Sequence, residues 1–417
     1  MATHLPRLAI SYDSRSPSAL RLAQAARDLC EVIWLVDLRE EQIRDEMRLL
    51  QRLGTVLDCA SAPGRDAADA LAREHPSGIA AFNDRRLLLL SEVAQRLELR
   101  FNPVGVTTGL VDKLEQRRRL DAGGIAVPAF AEVRSGAARD DLARALVKVG
   151  TPAVLKPRSG SGSRGVLAVH DVEELAARMN EIAPETDDSV WILEAYLEGA
   201  RSPGTRFADV VSVETLVQGG QLCHLAVTAR LEFAPPFRET GSVLPSDVEP
   251  RAAEEVRDTA GAALRALRVA DGFYHTEIKL TPDGPRVIEV NGRLGGYIDQ
   301  LFAIASGGVS LTRGVMQVAL GLDPQDDLRA SLDRIAYVRL VTPPIPARRV
   351  KTIEGLEALR EVEGVTEVVL NRRPGQPVSW RNGAGDIVLM VFGAVSAHDE
   401  LHRRVEQIDE TARVGYE

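Results

Sequence analysis

The stretch FYHTEIKLTPDGPRVIEVNGRLGG, residues 273–296, carries a histidine, two glutamates, an asparagine and an arginine at spacings that could do chemistry. Pro282, Asp283 and Gly284 supply turn chemistry between two segments of alternating β-prone residues, which predicts a β-hairpin. Closing it on Asp283 sets Glu277 opposite Glu289 and His275 opposite Asn291. Side chains alternate along a strand, so His275, Glu277, Lys279, Glu289 and Asn291 share one face and Ile278, Leu280, Ile288 and Val290 the other. Two adjacent carboxylates repel unless a proton or a cation sits between them. An all-oxygen set suits a hard cation such as Mg²⁺, which keeps waters and reaches substrate phosphates through one or two carboxylates. A sheet face of solvated acids would carry the same pattern.

Other residues of the right kind lie upstream. An apolar strand, Pro152–Lys156, ends on a lysine and is followed by PRSGSGSRG, residues 157–165. Gly160, Gly162 and Gly165 match G-x-G-x-x-G, but the VLAV that follows is strand-like where a dinucleotide fingerprint needs a helix. A loop rich in free amides and hydroxyls can fold over phosphates with Lys156 as a point charge, or simply be a surface hairpin loop. Lys113 sits in the first turn of a helix expected over Val111–Ala122. Glu194 closes an apolar strand, Val190–Leu193. The backbone beyond it, through Leu197 and Glu198, could read an adenine edge or merely end a strand.

These residues need elements to position them. Short buried strands at Leu8–Tyr12, Val32–Val36 and Gly78–Phe82, alternating with amphipathic helices, predict an open parallel sheet over residues 1–112. Val210–Val217 and Leu222–Thr228 read as paired strands about Gly219 and Gly220, with Glu214 in the first. FAPPFRETGSVLPS, residues 233–246, is Pro-rich and could cover a site. Helices are expected at Glu254–Leu267 and Gly307–Gly321. From about residue 335 the pattern is strand Tyr337–Val341, helix Ile353–Leu359, strands Val365–Leu370 and Asp386–Phe392, and helix Ala397–Ile408, a small α+β appendage without obvious chemistry.

Composition bounds the function. The chain has 417 residues, 27% charged and 45% hydrophobic, with a formal net charge of -9. That acidity argues against nucleic acid as a partner. Cys30, Cys59 and Cys223 form no metal or disulfide spacing. No apolar run approaches the roughly 20 residues of a membrane span and the N-terminus lacks a secretion signal, so a cytoplasmic protein with no membrane partner is expected.

Lys113, Lys156 with its glycine loop, Glu194 to Leu197, Glu277 and Glu289-x-Asn291-x-Arg293 stand in the order and spacing of the ATP-grasp superfamily. HTEIKL and IEVNGRLGG most resemble its L-amino-acid ligase branch. The resemblance implies an α/β and α+β architecture: a Rossmann-like sheet domain (1–112), a lid subdomain with the glycine loop (113–195), a catalytic subdomain (196–334) and a small C-terminal α+β unit (335–417). It implies ATP and Mg²⁺, with Mn²⁺ able to substitute. Lys113, Lys156, Ser161 and Gly162 would hold the phosphates, and Glu194, Ala195 and Leu197 would bracket the adenine. Glu198 is the candidate for the ribose, because an inserted run from Ala200 to Phe207 displaces the family's ribose acid. Glu277, Glu289 and Asn291 would hold Mg²⁺, and Arg293 would face the transferred phosphate. Gly295 and Gly296 would leave room for substrate, with Glu214 and His275 near the acceptor pocket and either as the base. The implied activity is joining of two amino acids through an acyl phosphate, giving a dipeptide, ADP and phosphate. Alternatives are a different carboxylate, a peptide or protein tail, or nucleotide binding without turnover. A homodimer, common in the superfamily, is the expected assembly.

Overall fold

The apolar runs LAI and VIWLV near the start of the chain have no polar face, as strands covered by helices on both sides require. In the computed structural model, which describes residues 5–182, 189–201 and 207–417, they are the centre of a parallel sheet. Its strands are β1 (Arg7–Ser11), β2 (Glu31–Val36), β3 (Thr55–Asp58) and β4 (Gly78–Ala81), in the order β3-β2-β1-β4. Leu8, Ala9, Ile10, Ile33 and Trp34 are fully buried. One face packs on helices 19–26 and 41–53, the other on helices 64–72 and 87–97. Asn83 and Asp84 follow β4 at the carboxyl edge of this sheet.

The helix expected over Val111–Ala122 begins at Lys113 and runs to Ala122, and a separate helix, Val104–Val111, precedes it. Asp112 lies between them, and its carboxylate accepts from the amides of Leu114 (3.0 Å) and Glu115 (3.2 Å), an N-cap that fixes where Lys113 begins the second helix. Next comes an antiparallel sheet of β5 (Phe130–Arg134), β6 (Ala153–Pro157), β7 (Leu167–Val169) and β8 (Val190–Ala195), ordered β5-β8-β6-β7. Helices 139–149 and 172–182 cover one of its faces. The glycine loop joins β6 to β7.

The remaining strands are β9 (Phe207–Gln218), β10 (Gln221–Leu231), β11 (Gly241–Leu244), β12 (Gly272–Thr281), β13 (Gly284–Asn291), β14 (Ile335–Val341), β15 (Val350–Glu354), β16 (Val365–Leu370), β17 (Leu389–Val395) and β18 (Arg413–Tyr416). Eight of them form one sheet ordered β13-β12-β9-β10-β11-β14-β17-β16, and β15 pairs with β18. Helix 250–267 packs on one face at the hairpin end, and helices 298–306 and 311–319 cover the opposite face.

Several expectations are corrected here. Residues 335–417 do not stand apart, because β14, β16 and β17 extend the sheet that bears the hairpin. Part of the supposed cover at 233–246 is β11, a buried strand inside that sheet. Ile353–Leu359 is no single helix: β15 runs to Glu354, and a short helix follows at Leu356–Arg360. Most of the Ala200-to-Phe207 run lies outside the described residues.

Candidate active site

Hairpin register decides whether the acids meet, and the expected register holds by compensation. The turn is one residue tighter than a closure on Asp283, with Thr281 opposite Gly284. A bulge at Ile288, between the pairs Glu277↔Glu289 and Ile278↔Val287, restores the difference. Val287 rather than Ile288 therefore turns into the core beside Val290. Strand β9 continues the pattern, giving two rows across three strands: Asn291–His275–Glu214 and Glu289–Glu277–Ser212.

As the edge strand of its sheet, β13 leaves backbone groups without a ladder. Gln116, on the Lys113 helix, takes the place of the missing strand: its amide accepts from Val290 N–H and donates to Val290 C=O, both at 2.8 Å. Arg117 on the next position donates to the carbonyls of Val287 and Ile288 at the bulge. Its Nε also binds Glu194 Oε1 at 2.7 Å, and Lys156 Nζ binds Glu194 Oε2 at 2.6 Å. Burial would raise the Glu194 pKa, but Arg117 and Lys156 outweigh it and hold it at about 2. Each oxygen of Glu194 thus accepts from a cation, and the carboxylate anchors Lys156. Ala195 N–H is also taken, by Ala129 C=O at 2.8 Å. Leu197 is half-buried and Glu198 exposed just beyond.

Lys113 reaches across to the hairpin. Its Nζ lies 2.6 Å from Glu289 Oε1 and 2.7 Å from Gly160 O, so one ammonium ties the glycine loop, with Ser161 and Gly162, to the acidic row. Arg293, at the end of β13, donates through Nε and Nη2 to Asp84 Oδ2 at 2.9 and 2.8 Å. The N-terminal sheet therefore aims the arginine. Gly295 does not make room for substrate: a Cβ there would run into the His275 ring, and its N–H donates to Glu214 Oε2 at 3.3 Å. Around Gly296 there is open space.

His275 and Glu214 are buried and hydrogen-bonded through Nδ1. The other ring nitrogen lies 3.3 Å from Glu277 Oε1. Burial alone would lower the histidine pKa; Glu214 and Glu277 outweigh it and raise it to about 9. Burial would likewise raise the Glu277 pKa, and His275, Arg230 and Arg293 lower it instead. The two carboxylates beside the ring thus favour its protonated form. Arg230 was not singled out by sequence. It is buried, binds Ser212 Oγ at 3.2 Å and Glu239 Oε1 at 3.0 Å, and adds a fixed positive charge beside the histidine.

A pH dependence follows. The folded His275 pKa lies above its unfolded value near 6.5, so its stabilisation is complete below about pH 6.5 and lost as pH rises through about 9. The difference amounts to roughly 3 kcal/mol. Melting temperature should fall between pH 7 and 10 in the parent and markedly less in His275→Gln. Parallel curves for the two proteins would contradict the raised pKa.

Does the site fit a divalent cation? Among the described residues no three His, Cys, Asp or Glu side chains gather as a metal site. The set here is two glutamates and an amide, whose oxygen, Asn291 Oδ1, lies 3.4 Å from Arg293 Nη2. Two carboxylates and one amide oxygen, with room left for phosphate oxygens and water, suit Mg²⁺. The residues fit.

The fold is the ATP-grasp fold. Residues 110–297 match the family model described as ATP-grasp domain, so the chain carries an ATP-grasp domain. The uncharacterized protein y4rH of Sinorhizobium fredii is 30% identical over 307 residues, 72% of this chain and 60% of its own length. The chain thus spans less than two thirds of that relative. An L-arginine-specific L-amino acid ligase of Bacillus subtilis is 21% identical over 314 residues, 72% of this chain and 71% of that protein. The crystal structure of an L-amino acid ligase from Bacillus licheniformis superposes with a TM-score of 0.78 at 19% identity over 100% of both chains, so the fold is shared throughout. No helix among the described residues is long and apolar enough to cross a membrane.

Proposed function

We propose that the protein is an ADP-forming ligase that joins two amino acids through an acyl phosphate. The observation that carries this is the convergence of Lys113, Glu289, Glu277 and Arg293 on one face of the hairpin, with the glycine loop drawn onto it. A non-catalytic nucleotide binder would have no use for an arginine aimed by a second domain. The amino-acid ligase among the relatives supports the substrate class.

A carboxylate resists an amine because its charge repels the nucleophile and oxide is a hopeless leaving group. Phosphoryl transfer from ATP converts it to an acyl phosphate, whose leaving group is phosphate. Lys113 and Lys156 hold the phosphates. Glu277, Glu289 and Asn291 would hold Mg²⁺, which neutralises phosphate charge when bound. Arg293 complements the transferring group and then the oxyanion formed when the amine attacks. His275, hydrogen-bonded to Glu214 and beside Glu277, fixes both carboxylates; the phosphate, leaving as its trianion, takes the amine's proton. The glycine loop keeps water from the acyl phosphate.

The test is incubation with ATP, Mg²⁺ and pairs of amino acids, following nucleotide products and peptide mass. ADP and phosphate should appear only when both substrates are present. AMP and pyrophosphate would refute the acyl-phosphate route.

A further inference from the structure

The C-terminal segment, silent in the sequence, reaches the glycine loop. Between β16 and β17 the chain forms a 3₁₀ segment, Trp380–Asp386. Asp386 is buried and accepts from Ser379 N–H (2.7 Å), Asn382 Nδ2 (2.7 Å) and Arg372 Nη2 (2.8 Å), which ties the segment to the chain before it. Three ties run from it to the unit that bears the loop. Ala384 N–H donates to Gly162 C=O at 3.1 Å. Trp380 packs against the apolar core beneath β5–β8. Arg381 stacks on Trp380, 4.8 Å from the ring centroid, and pairs with Glu181 on helix 172–182.

The fit at the loop is close. Gly383 has φ +53° and ψ −129°, a conformation that L side chains rarely adopt, and a Cβ there would overlap the Gly162 carbonyl. A Cβ on Gly162 would lie 3.0 Å from that of Ala384. On its other side the loop is held by Lys113 through Gly160 O, one side chain away from Glu289. The loop is therefore pinned between the acidic row and the C-terminal segment.

We propose that Trp380–Asp386 fastens the glycine loop, residues 159–165, in its closed position over the nucleotide phosphates, with Gly383 and Ala384 as positioning residues for ATP turnover. The proposal rests on the phosphate role given to the loop above. It makes residues 335–417 part of the ATP machinery rather than an appendage to it.

Two kinds of variant test it. Gly383→Ala should speed amide hydrogen exchange of residues 158–166 by about tenfold while exchange in β5 and β8 stays as in the parent. Its affinity for a non-hydrolysable ATP analogue should weaken by about five- to tenfold. Should that variant fail to fold, the second pair decides: Arg381→Glu should give the same two changes, and adding Glu181→Arg should reverse them, which loss of packing alone would not allow. Exchange in the loop within about twofold of the parent in every folded variant would overturn the fastening. Faster exchange with unchanged analogue affinity would overturn the phosphate half of the proposal, leaving ADP formation to be judged by its own assay.

Discussion

Replacing Arg293 by alanine lowers kcat by about a thousandfold or more while nucleotide affinity stays within about threefold. The expectation follows from where the guanidinium is held. It sits among Asp84, Asn291 and the Leu294 carbonyl, with Nη1 to Leu294 O at 3.0 Å and Nη2 3.4 Å from Asn291 Oδ1. A planar fork so fixed complements a charge that develops during reaction and adds little to ground-state binding. Lysine presents one point charge and no fork, so Arg293→Lys should recover less than about a tenth of the lost rate. Asp84→Ala keeps the cation and frees its aim, and should cost about tenfold in kcat, a smaller loss than removing the arginine itself. Single-turnover kinetics with calorimetric nucleotide binding separates these cases. A near-parental rate for Arg293→Ala would remove the hairpin face from the chemistry.

That hairpin was the most legible part of the chain, because period-2 alternation and a Pro-Asp-Gly turn are local signals. Even there the register came out right through two offsetting errors, a tighter turn and a bulge at Ile288. No local signal marks the bulge: it is set by Arg117, 171 residues away, whose guanidinium collects the carbonyls that the bulge turns outward. Lys113 was legible as a helical lysine, but the Asp112 cap that aims it was not, since the helical pattern runs on through Val111. Nothing local marks Arg230 or Asp84, and only the strand order β12-β9-β10 and the placing of β4 bring them to the site. The C-terminal unit looked separate because its strands follow a long helical stretch. Sheet continuity between β11 and β14 is a contact between segments almost a hundred residues apart, and alternation within either strand says nothing of its partner.

The same long-range logic gives the second large effect. Glu194→Ala should destabilise the protein by about 3–5 kcal/mol, because it leaves Arg117 and Lys156 partly or wholly buried with their shared carboxylate gone. Arg117 also steadies the bulge, so the loss spreads from the lid to the edge of the hairpin, and ATP affinity should fall by about tenfold or more. Lys156→Ala removes the proposed phosphate ligand but leaves Glu194 paired with Arg117, so it should weaken ATP binding with a stability cost below about 1.5 kcal/mol. Glu194→Gln keeps the shape and one acceptor and should fall between the two. Urea melts paired with ATP titrations resolve the series. Equal stability of Glu194→Ala and Lys156→Ala would mean that Glu194 is not the strut between lid and hairpin. Unchanged ATP affinity in Lys156→Ala would withdraw the lysine, and the loop that follows it, from the phosphates.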